Sequence, residues 1–177
     1  SLPLKDAVGW KQGDGSRKLV VFADPNCGYC KRFEREARAA KDVTIYTFLV
    51  PFQGQARPVA IWSAANREQA WHRFMLQGDA SMRSVASACD HPVDRNLALA
   101  HRLGVQGTPT LVWADGSRTD GYVDRTVLEA RLTGGAPWIM GDDYTIADIS
   151  MIGWVRTLVH WYGAGDLVGF ENYPEVG

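Results

Sequence analysis

A chain of 177 residues with 46% hydrophobic and 22% charged side chains has the balance of a globular protein that can bury a core without disulfide stapling. Its formal net charge of -1 supplies no basic field for nucleic acid, and no apolar run approaches the roughly 18 residues that a membrane span needs. Neither nucleic acid nor a membrane is an expected partner.

The opening stretch SLPLKDAVGW has neither the basic leader nor the apolar core of an export signal, so any such signal is expected to have been removed or never to have existed. KLVVFAD (18–24) and VTIYTFLV (43–50) are apolar runs of β-formers and predict strands buried in a sheet. Between them, YCKRFEREARAAK contains good helix formers and neither Gly nor Pro, which predicts a helix. Strand, helix and strand in this order favour a parallel pair with a right-handed crossover.

From about 55 to 104 the composition turns helical. RPVAIWSAANREQAWHRFMLQG puts Ile61, Ala65, Trp71, Phe74 and Met75 on core faces, and PVDRNLALAHRLG starts with a proline near its first turn and stops at Gly104. TPTLVWADGSRTDGYV (108–123) then alternates around Asp115-Gly116, a pair suited to a tight hairpin. RTVLEARL (125–132) reads as a short amphipathic helix, and TGGAP breaks the pattern and marks a junction. The expected fold is α/β: a thioredoxin fold over 1–135 with a helical insertion, followed by a helical extension over 136–177.

Three cysteines, Cys27, Cys30 and Cys89, are too few for a stapled secreted scaffold, and the odd count leaves at least one thiol for another use. Cys27-Gly28-Tyr29-Cys30 stands where a strand gives way to a helix. At a helix start, unsatisfied N–H groups and the positive end of the dipole favour an anion. Cysteines so placed in C-x-x-C motifs lose one to several pKa units, on the order of 1.4 kcal/mol each. Cys27 is therefore the expected nucleophile. Cys30, one turn further in, is the expected resolving thiol, and Gly28 and Tyr29 tune the balance between dithiol and disulfide. The pair could also be incidental or half of a zinc site completed by Cys89 and His91; the competing function is then a non-catalytic interaction module, zinc-bound or assembled through its apolar tail.

Thr108-Pro109 precedes a strand, where proline fits at the strand start or in a cis turn. In this layout the loop lies beside the helix that carries the cysteines. Pro109 then packs on them, and the Thr108 backbone can pair with an extended substrate. Asp24 reads either as an acid for the Cys30 proton or as the turn residue before Pro25, with the turn favoured. The four histidines, His72, His91, His101 and His160, are scattered and read as surface or core-edge residues. Lys31 and Arg32 read as a solvated helix face or as reinforcement of the thiolate.

LPLKDAV, VFADPNCGYCKRFE, AIWSAANREQAW, ASACD and RNLALAHRLGVQGTPTLVWADGSRTDGY resemble the catalytic domain of bacterial periplasmic disulfide isomerases of the DsbC/DsbG type, over about residues 2–132. The resemblance implies a periplasmic thiol-disulfide oxidoreductase or isomerase acting on cysteine-containing proteins, reset by a redox partner protein. It implies Cys27 as attacking and Cys30 as resolving thiol, Gly28, Tyr29, Thr108 and cis Pro109 against the substrate, and no metal or cofactor beyond the Cys27–Cys30 disulfide. Such isomerases carry an N-terminal dimerisation domain, and this sequence begins where their linker ends. Oxidation or reduction is accordingly expected to outweigh isomerisation. Relatives have a cysteine where Ser63 stands, bonded to the counterpart of Cys89, which leaves Cys89 as a half-buried free thiol. Residues 137–176 are similar to part of the C-terminal helical domain of glutathione S-transferases. There Thr145 and Asp148 form a capping box, and an apolar helix running from Ile146 to Tyr162 is expected to pair with a second copy.

Overall fold

The computed structural model describes residues 2–79 and 89–133. The expected extension over 136–177, with its capping box and apolar helix, lies outside the described residues, as does His160. A 3-10 turn at Leu4–Asp6 leads into β1 (Val8–Gln12), β2 (Arg17–Ala23), α1 (Gly28–Ala39) and β3 (Val43–Leu49). Three helices follow, α2 (Ala56–Trp62), α3 (Arg67–Gln77) and α4 (Val93–Arg102), then β4 (Thr110–Val112), β5 (Arg118–Asp120) and α5 (Arg125–Thr133). Among the described residues the sheet has five strands in the order β1-β3-β2-β4-β5. β2 and β3 are parallel, as expected of a strand-helix-strand unit, and the other pairs are antiparallel.

The period of two along a strand explains why the two central runs are mostly apolar on both faces. Leu19, Val21 and Ala23 of β2, with Val43, Ile45 and Leu49 of β3, face the layer built by Phe33 and Ala37 of α1, Trp71, Phe74 and Met75 of α3, and Leu128 of α5. Val20 and Phe22, with Phe48, face the opposite layer, closed by Leu99 and Ala100 of α4 and by Val105. Both faces are covered, so neither strand can afford polar alternation. The hairpin forms where expected but not as a two-residue turn on Asp115-Gly116: Val112 pairs with Arg118, Trp113 N–H donates to Ser117 O at 2.9 Å, residues 114–116 make the loop, and of the pair Gly116 alone takes positive φ, +76°.

One placement needs correction, and one strand lies outside the expected elements. β1 was not anticipated: it pairs antiparallel with β3 at the sheet edge, where Val8 and Trp10 turn inward and Gly9 and Lys11 outward. Within the expected helical block, the stretch from 56 to 77 forms two helices, and Ala65 falls between them. The chain breaks at 63–66, Asn66 Oδ1 accepts the Gln69 N–H at 2.9 Å and caps α3, and Ala65 in the break is exposed instead of lying in the core.

α4 is tied to the sheet by Asn96, which is fully buried. Its Nδ2 donates to Asp6 O at 3.1 Å and to Leu49 O at 3.3 Å, while neighbouring Arg95 forks onto the Asp6 carboxylate at 3.2 and 3.1 Å. A leucine at 96 leaves both carbonyls without that donor, so Asn96→Leu is expected to cost about 1–3 kcal/mol. A urea midpoint equal to that of the parent would contradict this anchoring role.

Candidate active site

The strand β2 ends at Ala23, and the next four residues build the entry to α1. Asp24 is completely buried. Its Oδ1 accepts the Asn26 N–H at 2.7 Å and its Oδ2 the Gln53 N–H at 2.6 Å, while its carbonyl accepts the Cys27 N–H at 3.0 Å. The turn reading of Asp24 thus holds in this geometry, with the added bond to Gln53 joining the loop after β3 to the helix start. Burial, partly offset by those backbone N–H groups, raises the Asp24 carboxyl above the usual aspartate range.

Cys27 is the N-cap of α1, in extended conformation at φ -78° and ψ 123°. Its side chain makes no capping bond to the helix. The sulfur instead faces the neighbouring loop, donating to Thr108 O at 3.2 Å. Gly28 opens the helix, and Tyr29 is 63% exposed beside it. Cys30 lies one turn in and is buried, with 2% exposure against 6% for Cys27. Both are free thiols.

The Thr108–Pro109 peptide is cis and Pro109 is buried. The loop is pinned from its far side, since Gly121 N–H donates to Pro109 O at 2.8 Å and Thr110 Oγ1 donates to Gly107 O at 2.9 Å. All six expected residues, Cys27, Gly28, Tyr29, Cys30, Thr108 and Pro109, therefore meet at one end of the sheet.

Burial pushes the Cys30 thiol well above the ordinary cysteine range; a hydrogen bond to Thr108 opposes the rise and the nearby Cys27 sulfur adds to it. A raised cysteine pKa means that the folded protein holds its proton where the unfolded chain has begun to lose it. The stability of the reduced protein is therefore expected to fall as pH rises above about 8.5, by up to about 1.4 kcal/mol per unit from this one group. Urea unfolding of the parent and of Cys30→Ala between pH 7 and 10 checks this: the parent should lose more than the variant. Equal slopes would contradict it.

The alternative zinc ligands do not assemble. Among the described residues no group of three or more His, Cys, Asp or Glu side chains is placed to hold a metal ion. Cys89 is half-buried and touches Ser63 Oγ. His72 sits at the core edge, 3.2 Å from Glu34 and edge-on to Trp10. His101 is exposed and stacks on Phe52.

Sequence reasoning missed Arg57. Its Nη1 donates to Asn26 Oδ1 at 3.0 Å, immediately before Cys27. Arg57 is 31 residues from Asn26 in the chain, and no local pattern marks such a pairing. Lys31, read before as part of a helix face, places its Nζ 4.8 Å from the centre of the Phe74 ring.

This sheet order, with a cysteine pair at the start of the first central helix and a cis proline facing it, defines a thioredoxin-fold protein with a C-x-x-C dithiol. The chain belongs to the thioredoxin-like domain family, whose model matches residues 4–135. It is similar to the probable thiol:disulfide interchange protein DsbC of Bordetella pertussis, 42% identical over 134 residues, which are 74% of this chain and 47% of that protein. Against the thiol:disulfide interchange protein DsbC of Escherichia coli it is 30% identical over 126 residues, 67% of this chain and 51% of the relative. The chain thus spans about half the length of the curated relatives it matches. A crystal structure of a disulfide interchange protein from Neisseria gonorrhoeae superposes with a TM-score of 0.70 at 33% identity, covering 77% of this chain and 99% of the other. Among the described residues no helix is long and apolar enough to cross a membrane.

Proposed function

We propose that the protein is a thiol-disulfide oxidoreductase acting on cysteine-containing proteins, with Cys27 as nucleophile and Cys30 as resolving thiol. The observation that carries this reading is the Cys27 sulfur at the N-cap of α1, 3.2 Å from the carbonyl oxygen of Thr108. In the reductive direction the Cys27 thiolate attacks a client disulfide, a mixed disulfide forms, and one client sulfur leaves as a thiolate. Cys30 then loses its proton, which neutralises the departed client thiolate through solvent, and attacks the Cys27 sulfur. The second client thiolate leaves, and two electrons have passed from the dithiol to the client. Oxidation of a client runs the same steps in reverse.

The Cys27–Cys30 pair is then the only redox group needed, and a second redox protein resets it. Gly28, Tyr29, Thr108 and Pro109 form the client surface: the Thr108 backbone takes an extended segment by strand addition, and the exposed Tyr29 ring offers an apolar contact. The names of the relatives support exchange as the activity, and a periplasmic setting suits it, since disulfides persist in oxidising compartments. The apolar residues of 146–162 give the chain a segment through which a second copy can pair, and light scattering at micromolar concentration tests that pairing.

The deciding experiment is the reduction potential of the pair, measured with insulin reduction and with refolding of a scrambled disulfide protein. A potential near -270 mV with rapid insulin reduction marks a reductase, and one near -120 mV marks an oxidant or isomerase, by comparison with known dithiol proteins. Failure of the pair to form a disulfide even with oxidised glutathione in large excess and no reduced glutathione would remove the proposal.

A further inference from the structure

Two cations adjoin the segment that carries Cys27, Arg57 through Asn26 and Lys31 one turn along α1. Arg57 Nη1 is held on Asn26 Oδ1 at 3.0 Å, and the Arg57 guanidinium lies 4.8 Å from the centre of the Phe74 ring. Lys31 follows Cys27 by one turn, its N–H donating to Cys27 O at 3.2 Å, and its Nζ lies 4.8 Å from the centre of that same ring. Phe74 is buried, so one fixed aromatic side chain positions both charges. Among the described residues neither cation has a carboxylate within salt-bridge distance. Acids in this part of the fold are engaged elsewhere: Asp24 is buried on two backbone N–H groups, Asp94 accepts from Gln55 Nε2 at 3.1 Å, and Glu34, three residues on from Lys31, lies 3.2 Å from His72.

A guanidinium carries five N–H donors, and the single bond to Asn26 leaves the others for a ligand. Its fixed positive charge, added to that of Lys31, attracts a carboxylate. We infer that Arg57 and Lys31 form an anion-selecting rim at the nucleophile, favouring clients that carry an acidic residue next to the reacting cysteine. This inference rests on the exchange activity proposed above. The protein as a whole, at a net charge of -1, has no field that would draw acidic clients, so the preference is a property of the rim.

The test uses three disulfide-bonded peptides that differ only in the residue flanking the cystine: Glu, Gln or Lys. Each is mixed with the reduced protein under pseudo-first-order conditions, and oxidation of the dithiol is followed by stopped-flow fluorescence. At low ionic strength the Glu peptide is expected to react about tenfold faster than the Lys peptide, and the ratio should fall toward one at 0.5 M salt. Arg57→Gln and Lys31→Gln are each expected to shrink the ratio about threefold, and Arg57→Glu to shrink it further. Arg57→Lys should keep most of the preference, because the charge remains. Loss of the ratio in Arg57→Lys equal to that in Arg57→Gln would assign Arg57 to positioning Asn26 and overturn the rim. A parent ratio of one, with the Gln peptide reacting, overturns the rim and leaves the exchange activity standing. No reaction with any peptide overturns the activity and the rim together.

Discussion

Cys27→Ser is expected to lower the rate of insulin reduction by at least about a thousandfold, which corresponds to roughly 4 kcal/mol of lost transition-state stabilisation. A thiolate attacks a disulfide and leaves as an exchangeable sulfur, and a serine hydroxyl, un-ionised at neutral pH, does neither. Nor can Cys30 take over, because it is buried and burial keeps its thiol protonated. Cys30→Ser has the opposite signature. Attack by Cys27 still proceeds, resolution does not, and a client bound to Cys27 should accumulate as a species visible by intact mass and released by dithiothreitol. Cys89 needs its own control, since its half-buried sulfur can label nonspecifically. Carrying both substitutions on a Cys89→Ala background removes that ambiguity. If Cys27→Ser retained more than about a tenth of the parent rate, another sulfur would be the nucleophile.

Much of this architecture is legible in the sequence, for reasons that differ from element to element. β2 and β3 stand out because both of their faces are buried, which makes KLVVFAD and VTIYTFLV continuous apolar runs. α4 is bounded by Pro92 at its start and by Gly104, at φ +67°, just past its end, two signals that need no tertiary knowledge. The cysteine pair can be placed because a helix start is itself a local feature. β1 escapes notice because its stability is non-local: VGWKQ pairs with a strand more than thirty residues away and contributes only Val8 and Trp10 to the interior. The break between α2 and α3 hides in a run of good helix formers, although Asn66 and Gln69 carry the capping pattern that marks it. Tertiary pairings stay invisible altogether. Asp24 with Gln53, Asn26 with Arg57 and Glu34 with His72 join segments with no shared periodicity. The residues proposed for the chemistry are therefore readable in the sequence, while those that hold them in place need the fold.

Phe22→Ala is expected to give the largest loss of stability, about 3–5 kcal/mol, out of the 5–15 kcal/mol typical of a domain. Phe22 has no exposed surface and stacks on Phe48 with ring centres 5.2 Å apart and planes 19° apart. The two residues are also register partners in the parallel β2–β3 pair, while Thr110 faces Phe22 from β4. Removing the ring opens a cavity between two central strands and the α4 layer, and strands fixed by ladder bonds on both sides cannot close it. Phe22→Leu refills much of that space and should cost distinctly less. Phe22 lies in the layer opposite the one that contains Cys27 and Cys30. The prediction therefore separates stability from chemistry: the denaturant midpoint drops, while insulin reduction per folded molecule, measured well below the thermal transition, stays at the parent rate. A loss under 1 kcal/mol would show that this second layer is not packed as described. A fall in activity matching the fall in stability would show instead that the two faces of the sheet are coupled through β2 into the Ala23–Asp24 turn.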